Sequence, residues 1–227
     1  MKTIAVILPV NNPEMLSQSD IDIYSDSQIK FILHTVDTPL KEINTMEDAA
    51  MVENLVINKI QVLTKEGTAA IIVYAFGEFE KVKNRNFGVP VCALGPTAIL
   101  EAGRLTQKKF TIICAMKAHN AIFRSMVPKN LETKFSSKSP GAPEVTPAQI
   151  RQDKAIVQKL VPIAEKEILE HNVDTFTLGC GAFVDVAKPL EKILREKFNT
   201  LDIHVIDPIQ ATFDAVKKKT CYVSDNF

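Results

Sequence analysis

A cysteine flanked by glycines, Gly179-Cys180-Gly181, ends the apolar run Val173-Asp174-Thr175-Phe176-Thr177-Leu178. A short run of this kind predicts a buried strand that stops at the thiol. Flanking glycines let backbone approach a ligand closely. A helix expected from about Val184 to Phe198 would add free N–H groups and a positive dipole end, which favour a thiolate able to take up a proton. The plain alternative is a cysteine buried for packing, and neither the two glycines nor the strand-end position serves that purpose. Cys92 and Cys114 read the opposite way, because VPVCALG and TIICAM enclose them in apolar strands. Cys221 lies in the C-terminal tail and receives no role. The four cysteines show no CxxC spacing and no paired histidines, which fits reduced thiols and a cytoplasmic protein.

The elements that must hold this thiol follow from alternating patterns. β-branched runs at 2–8, 29–35, 69–75, 90–94, 109–115, 173–179 and 202–206 alternate with longer amphipathic segments, the signature of βα units around parallel sheets. The segments 47–66 and 150–171 carry apolar residues at helical spacing, the second despite Pro162. The chain is also written twice. KTIAVILP at 2–9 matches KFTIICAM at 109–116, and TAAIIVYAFG at 68–77 matches VDTFTLGCGA at 173–182, each after a long helix. PVCALGP at 90–96 opens a helix at Thr97, as HVIDP at 204–208 opens one at Ile209.

The expectation is an α/β fold of two pseudo-symmetric lobes, each a mainly parallel four-stranded sheet flanked by helices, with the site in the cleft between them. The first lobe would span 1–104, with the C-terminal helix 208–227 packing back on it, and the second 105–207. This alignment makes Ala75 and Cys180 equivalent.

Ligands of parallel sheets bind beyond the carboxyl ends of the strands. That position nominates Pro9 and Asn11 after the first strand as substrate contacts, with Phe76 and Gly77 beside Ala75, Thr97, Gly181 and Ala182 beside Cys180, and Pro208. His119, in KAHNAIF, is either a donor to a substrate carbonyl or a capping histidine. Glu78 is either a second base or a solvated glutamate at a helix start. His34, His171 and His204 show no metal spacing and read as structural. The polar, Pro- and Gly-rich segment 133–149 is a loop, either a plain connection or a flap over the site.

Composition excludes several classes. Lys+Arg and Asp+Glu both number 27, so the chain lacks the long-range field that nucleic acid or an anionic membrane exploits. No stretch approaches the roughly 18 apolar residues of a membrane span. With no GxGxxG or Walker pattern, a nucleotide-dependent enzyme is disfavoured. The N-terminus reads as a strand rather than a signal peptide, which counts against a periplasmic-type binding protein of two lobes. A small molecule becomes the expected partner.

These residues resemble the aspartate/glutamate/hydantoin racemase superfamily, specifically its hydantoin and allantoin racemase branch. Members carry one cysteine in an Ala-Cys-Phe-(Gly/Asp)-Asp-like segment and another in a Leu-Gly-Cys-Ala-Gly-like segment. Here these look like Tyr74-Ala75-Phe76-Gly77-Glu78 and Leu178-Gly179-Cys180-Gly181-Ala182. Val89-Pro90-Val91, Gly95-Pro96-Thr97, Lys109-Phe110-Thr111-Ile112 and Val205-Ile206-Asp207-Pro208 also fall where the family has similar elements, so the resemblance covers nearly the whole chain.

The resemblance implies cofactor- and metal-independent racemisation of a hydantoin-, allantoin- or amino-acid-like carbon acid by a homo-oligomer. One thiolate removes the α-proton while a second thiol returns a proton to the opposite face. Backbone N–H groups stabilise the enolate-like charge. Two departures stand out. Ala75 occupies the first cysteine position, and Leu8-Pro9-Val10-Asn11-Asn12 replaces the usual Asn-Pro-Asn-(Thr/Ser). Three explanations of Ala75 compete: an introduced Cys→Ala change, a natural single-cysteine enzyme like the arylmalonate decarboxylases, and a relative that uses another base or only binds its ligand.

Overall fold

The computed structural model describes residues 1–43, 45–77, 79–136 and 140–222, with the side chains of Met46 and residues 219–222 left aside. The chain divides into two compact units, Met1–Leu94 with Thr212–Phe227, and Gly95–Ala211.

The first unit is built on a parallel sheet in the order β2-β1-β3-β4, from β1 (Lys2–Leu8), β2 (Ile29–Thr35), β3 (Ala70–Val73) and β4 (Val91–Ala93). Ile4 to Leu8 are all buried, as expected of a central parallel strand covered on both faces. One face carries Ala5, Ile7, Ile71 and Val73, which pack on Val52, Val56, Ile60 and Leu63 of α2 (Met46–Lys65). A capping box starts α2: Thr45 accepts from the Asp48 N–H and Asp48 accepts from the Thr45 N–H. Beyond its end, Gly67 at φ 86° takes the left-handed turn that a side chain would resist. The short helices α1 (Gln18–Asp22) and α3 (Glu80–Lys83) complete the unit. From α9 (Pro208–Tyr222), Phe213 stacks at 4.2 Å on Tyr24 and 4.6 Å on Phe31, and Lys217 pairs with Asp26 at 3.3 Å.

The second unit holds a parallel sheet in the order β5-β6-β7, from β5 (Lys109–Cys114), β6 (Val173–Gly179) and β7 (His204–Ile206). Among the described residues this corrects the expected four strands to three. Beside β5, among the described residues, stands an isolated parallel bridge, Phe110 to Phe135. The sequence that follows, Ser136 to Pro140, has no apolar alternation and ends in a residue without an N–H. The helices are α4 (Leu94–Leu105), α5 (His119–Ser125), α6 (Pro147–Gln152), α7 (Ile156–His171) and α8 (Ala187–Lys197).

Three helical expectations shift. The segment 150–171 is broken between α6 and α7, because Asp153 leaves the helix at ψ 97° and its carboxylate accepts the Ala155 N–H. α8 starts at Ala187 rather than Val184, because Asp185 stands at φ 58°, outside the helical region. α4 opens at Leu94, which puts Thr97 inside its first turn.

The entry to β5 is held by a buried carboxylate. Asp174 accepts from the hydroxyls of Thr106 (2.5 Å) and Thr175 (3.0 Å) and from the backbone N–H groups of Gln107 (3.0 Å) and Lys108 (2.9 Å). Removing it takes this acceptor from two buried threonine hydroxyls and from two partly buried N–H groups, of which that of Lys108 keeps the Thr106 hydroxyl oxygen at 3.2 Å. Asp174→Ala is therefore expected to destabilise the protein by about 3 kcal/mol, read as a lowered urea midpoint at unchanged slope.

Candidate active site

In the second unit, β6 ends at Gly179, and Cys180 begins a loop whose anchors are buried: Ala182, Phe183 and Val186. The Cys180 Sγ accepts the Ala182 N–H at 3.4 Å, and its carbonyl accepts from Phe183 at 3.3 Å. A backbone N–H aimed at sulfur favours the thiolate. The α8 N-terminus, expected in that role, lies seven residues beyond Cys180. Gly179 suits a tight place: a Cβ there would come 3.0 Å from Ile112 and 3.1 Å from the Phe123 ring, so these side chains would have to give.

Cys114 pairs with Gly179 across the sheet and is fully buried. Burial, and secondarily the neighbouring charge of Cys180, push the Cys114 thiol far above the ordinary thiol range. It stays protonated and does not compete as a base. Native alkylation with iodoacetamide at pH 8 is expected to label Cys180 and to spare Cys92 and Cys114. Peptide mapping by mass spectrometry of a Cys221→Ser chain reads this directly.

His119 begins α5, after the turn that follows β5, and its ring sits 5.5 Å from Phe123. Phe123 thus links His119 to the backbone before Cys180. The described part of segment 133–149 is tied to this strand end at three points. Asn120 donates to the Pro140 carbonyl (3.1 Å), the Lys117 N–H donates to Glu144 (3.3 Å) and the Val145 N–H donates to Ala115 (3.2 Å). Pro208 is buried at the start of α9, after Asp207.

The sequence reading did not nominate Asp207. Its Oδ1 accepts from Ile209 (2.8 Å) and Gln210 (3.3 Å), capping α9. Burial raises its pKa, opposed by those two N–H groups, and Asp185 adds repulsion. The signal was present in Asp207-Pro208, a cap residue before a proline at the first helical position.

In the first unit, β1 and β3 are neighbours with Ile7 opposite Val73, so Pro9 and Asn11 leave the sheet beside Ala75, Phe76 and Gly77. Pro9 and Phe76 are buried, Asn11 is exposed, and Ala75 and Gly77 are partly buried. The Asn11 N–H donates to Leu40 (2.8 Å), and the Ala75 carbonyl accepts from Leu94 (3.1 Å). A Cβ at Gly77 would meet nothing within 4 Å. Glu78 lies outside the described residues. Sequence reasoning also missed Glu53. This buried carboxylate of α2 accepts the Lys81 N–H at 2.7 Å, supplying α3 with the cap that Phe79 lacks and fixing the far end of the Ala75 loop.

Thr97 is partly buried in α4. The structure therefore groups Cys180, Gly181, Ala182 and His119 at one sheet end and Pro9, Asn11, Ala75, Phe76 and Gly77 at another. Among the described residues no three His, Cys, Asp or Glu side chains group as metal ligands, and no helix is long and apolar enough to cross a membrane.

The fold is shared with solved structures of low sequence identity. An allantoin racemase from Klebsiella pneumoniae superposes with a TM-score of 0.81 at 17% identity, over 98% of this chain and 89% of that one. The allantoin racemase from Pseudomonas fluorescens gives 0.77 at 16%, over 97% and 92%. An arylmalonate decarboxylase gives 0.67 at 16%, over 96% and 92%. No curated protein sequence matches the chain. The model of the Asp/Glu/hydantoin racemase family matches residues 23–216. The chain accordingly belongs to the Asp/Glu/hydantoin racemase family, and its enzyme class is that of a racemase-type isomerase.

Proposed function

We propose that Cys180 is the proton-transferring thiol of a racemase or epimerase acting on a hydantoin-, allantoin- or amino-acid-like carbon acid. The observation that carries this reading is the Cys180 loop: a thiol at the carboxyl end of a central parallel strand, with the Ala182 N–H directed at its sulfur. The thiolate takes the α-proton, and the resulting enolate-like oxygen calls for hydrogen-bond donors, a role for His119 and the backbone of Gly181 and Ala182. Inversion requires a second acid–base group on the opposite face of the carbon, and the reading assigns that place to a thiol at position 75. Proton transfer of this kind needs no cofactor, and the reading includes a homo-oligomeric cytoplasmic protein.

Deuterium incorporation at the α-carbon of allantoin or a 5-substituted hydantoin tests the assignment. A folded Ala75→Cys chain that exchanges neither compound overturns it. Ala75 itself favours a second reading, a single-thiol decarboxylase that protonates the enediolate left after carbon dioxide leaves a disubstituted malonate. Carbon dioxide release by the unmodified chain, abolished by Cys180→Ala, would establish that reading instead.

A further inference from the structure

We propose that Asp207 is a substrate-binding residue of the Cys180 site, its Oδ2 accepting an N–H of an amide or ureide group. This rests on the proton-transfer reading of Cys180 and adds what orients the substrate there. Three observations support it.

The first is register. Thr177 pairs with Ile206 on the adjacent strand, so Asp207 stands level with Leu178, two residues short of Cys180. Strand spacing and rise then put the two Cα atoms roughly 8 Å apart, a span that one small ring bridges. The second is the division of labour between the carboxylate oxygens. Oδ1 caps α9 through the N–H groups of Ile209 and Gln210, which fixes the carboxylate plane. Oδ2 accepts no hydrogen bond among the described residues, although the side chain is mostly withdrawn from water.

The third is the neighbouring backbone. The loop from Cys180 to Val186 carries Asp185 at φ 58°, one of three non-glycine residues at positive φ among the described residues. Strain of this kind persists where surrounding structure imposes it and gathers at functional sites. It holds the rim of the loop beside Asp207, whose charge Asp185 opposes and Lys188 offsets. A fixed, partly desolvated acceptor beside the proton-transferring thiol discriminates for a ligand N–H more strongly than a solvated one.

The experiment is protection of Cys180 from iodoacetamide in the full chain carrying Cys221→Ser, with two probes: 5-benzylhydantoin and its 1,3-dimethyl derivative, which has no N–H. The parent is expected to be half-protected by the first at a concentration about tenfold lower than by the second. Asp207→Asn keeps an oxygen for the cap but replaces the free acceptor with an NH₂ donor, and Asp207→Ser keeps a cap without the carboxylate. Both are expected to erase the tenfold preference. A preference retained by either variant overturns the role of Asp207 and leaves the proton-transfer reading standing. A parent protected by neither probe overturns both.

Discussion

Ala75→Cys is expected to raise the rate of stereochemical inversion of allantoin or a 5-substituted hydantoin by about 10³-fold over the unmodified chain, within the range that a positioned acid or base contributes. Inversion at carbon needs one group to take the proton and another to return it on the opposite side. On the proposed reading alanine at 75 leaves the second group missing, and inversion falls back on solvent. The substitution adds one sulfur to a side chain that is only partly buried. Its backbone hydrogen bonds, to Val73 and from Leu94, are left in place. The fold should therefore tolerate the change, which an unchanged thermal denaturation midpoint of the variant would check. The measurement is loss of optical activity, corrected for spontaneous racemisation. An inversion rate unchanged in the folded variant would remove position 75 from the mechanism.

Much of this arrangement was legible in the sequence. The seven strands of the described residues each fall within an expected run, because parallel strands covered on both faces appear as continuous apolar runs that little else produces. The thiol at the end of β6 was legible for the same reason: the run stops at Gly-Cys-Gly, and the stop marks the ligand-facing end of the sheet. What escaped depends on single aspartates and on distant partners. Asp153 breaks one helix and Asp185 delays another through turn geometry that hydrophobic periodicity does not register. Glu53 lies 28 residues before the N–H it caps, so no local pattern announces it. In the second unit the apolar runs at 109–115, 173–179 and 202–206 carry the three strands of the described residues, while the sequence after Phe135 is polar and proline-bearing and offers no apolar run for a fourth. Asp207-Pro208 carries the sequence signal of a helix cap, while its register beside Cys180 and its unused Oδ2 emerge only from the fold.

The unmodified chain supplies the second large effect. With Cys180 alone acting on one face of the carbon, it is expected to wash deuterium into a single enantiomer of the substrate and to return that enantiomer with its configuration retained. The opposite enantiomer presents its α-proton to the face without a thiol and should stay protiated. Cys180→Ser is expected to abolish this one-sided exchange, lowering its rate by about 10³-fold or more, because an alcohol is a far weaker acid than a thiol and supplies no comparable base at neutral pH. Serine preserves size and the hydrogen bond from Ala182, so the loss would report on proton transfer rather than on the loop. Chiral chromatography with mass detection separates the outcomes. Equal exchange of both enantiomers by the unmodified chain would place a second base in the site that is not residue 75. Exchange that survives Cys180→Ser would move the chemistry away from the β6 loop altogether, leaving Cys180 as a packing residue and requiring a different carbon-acid base.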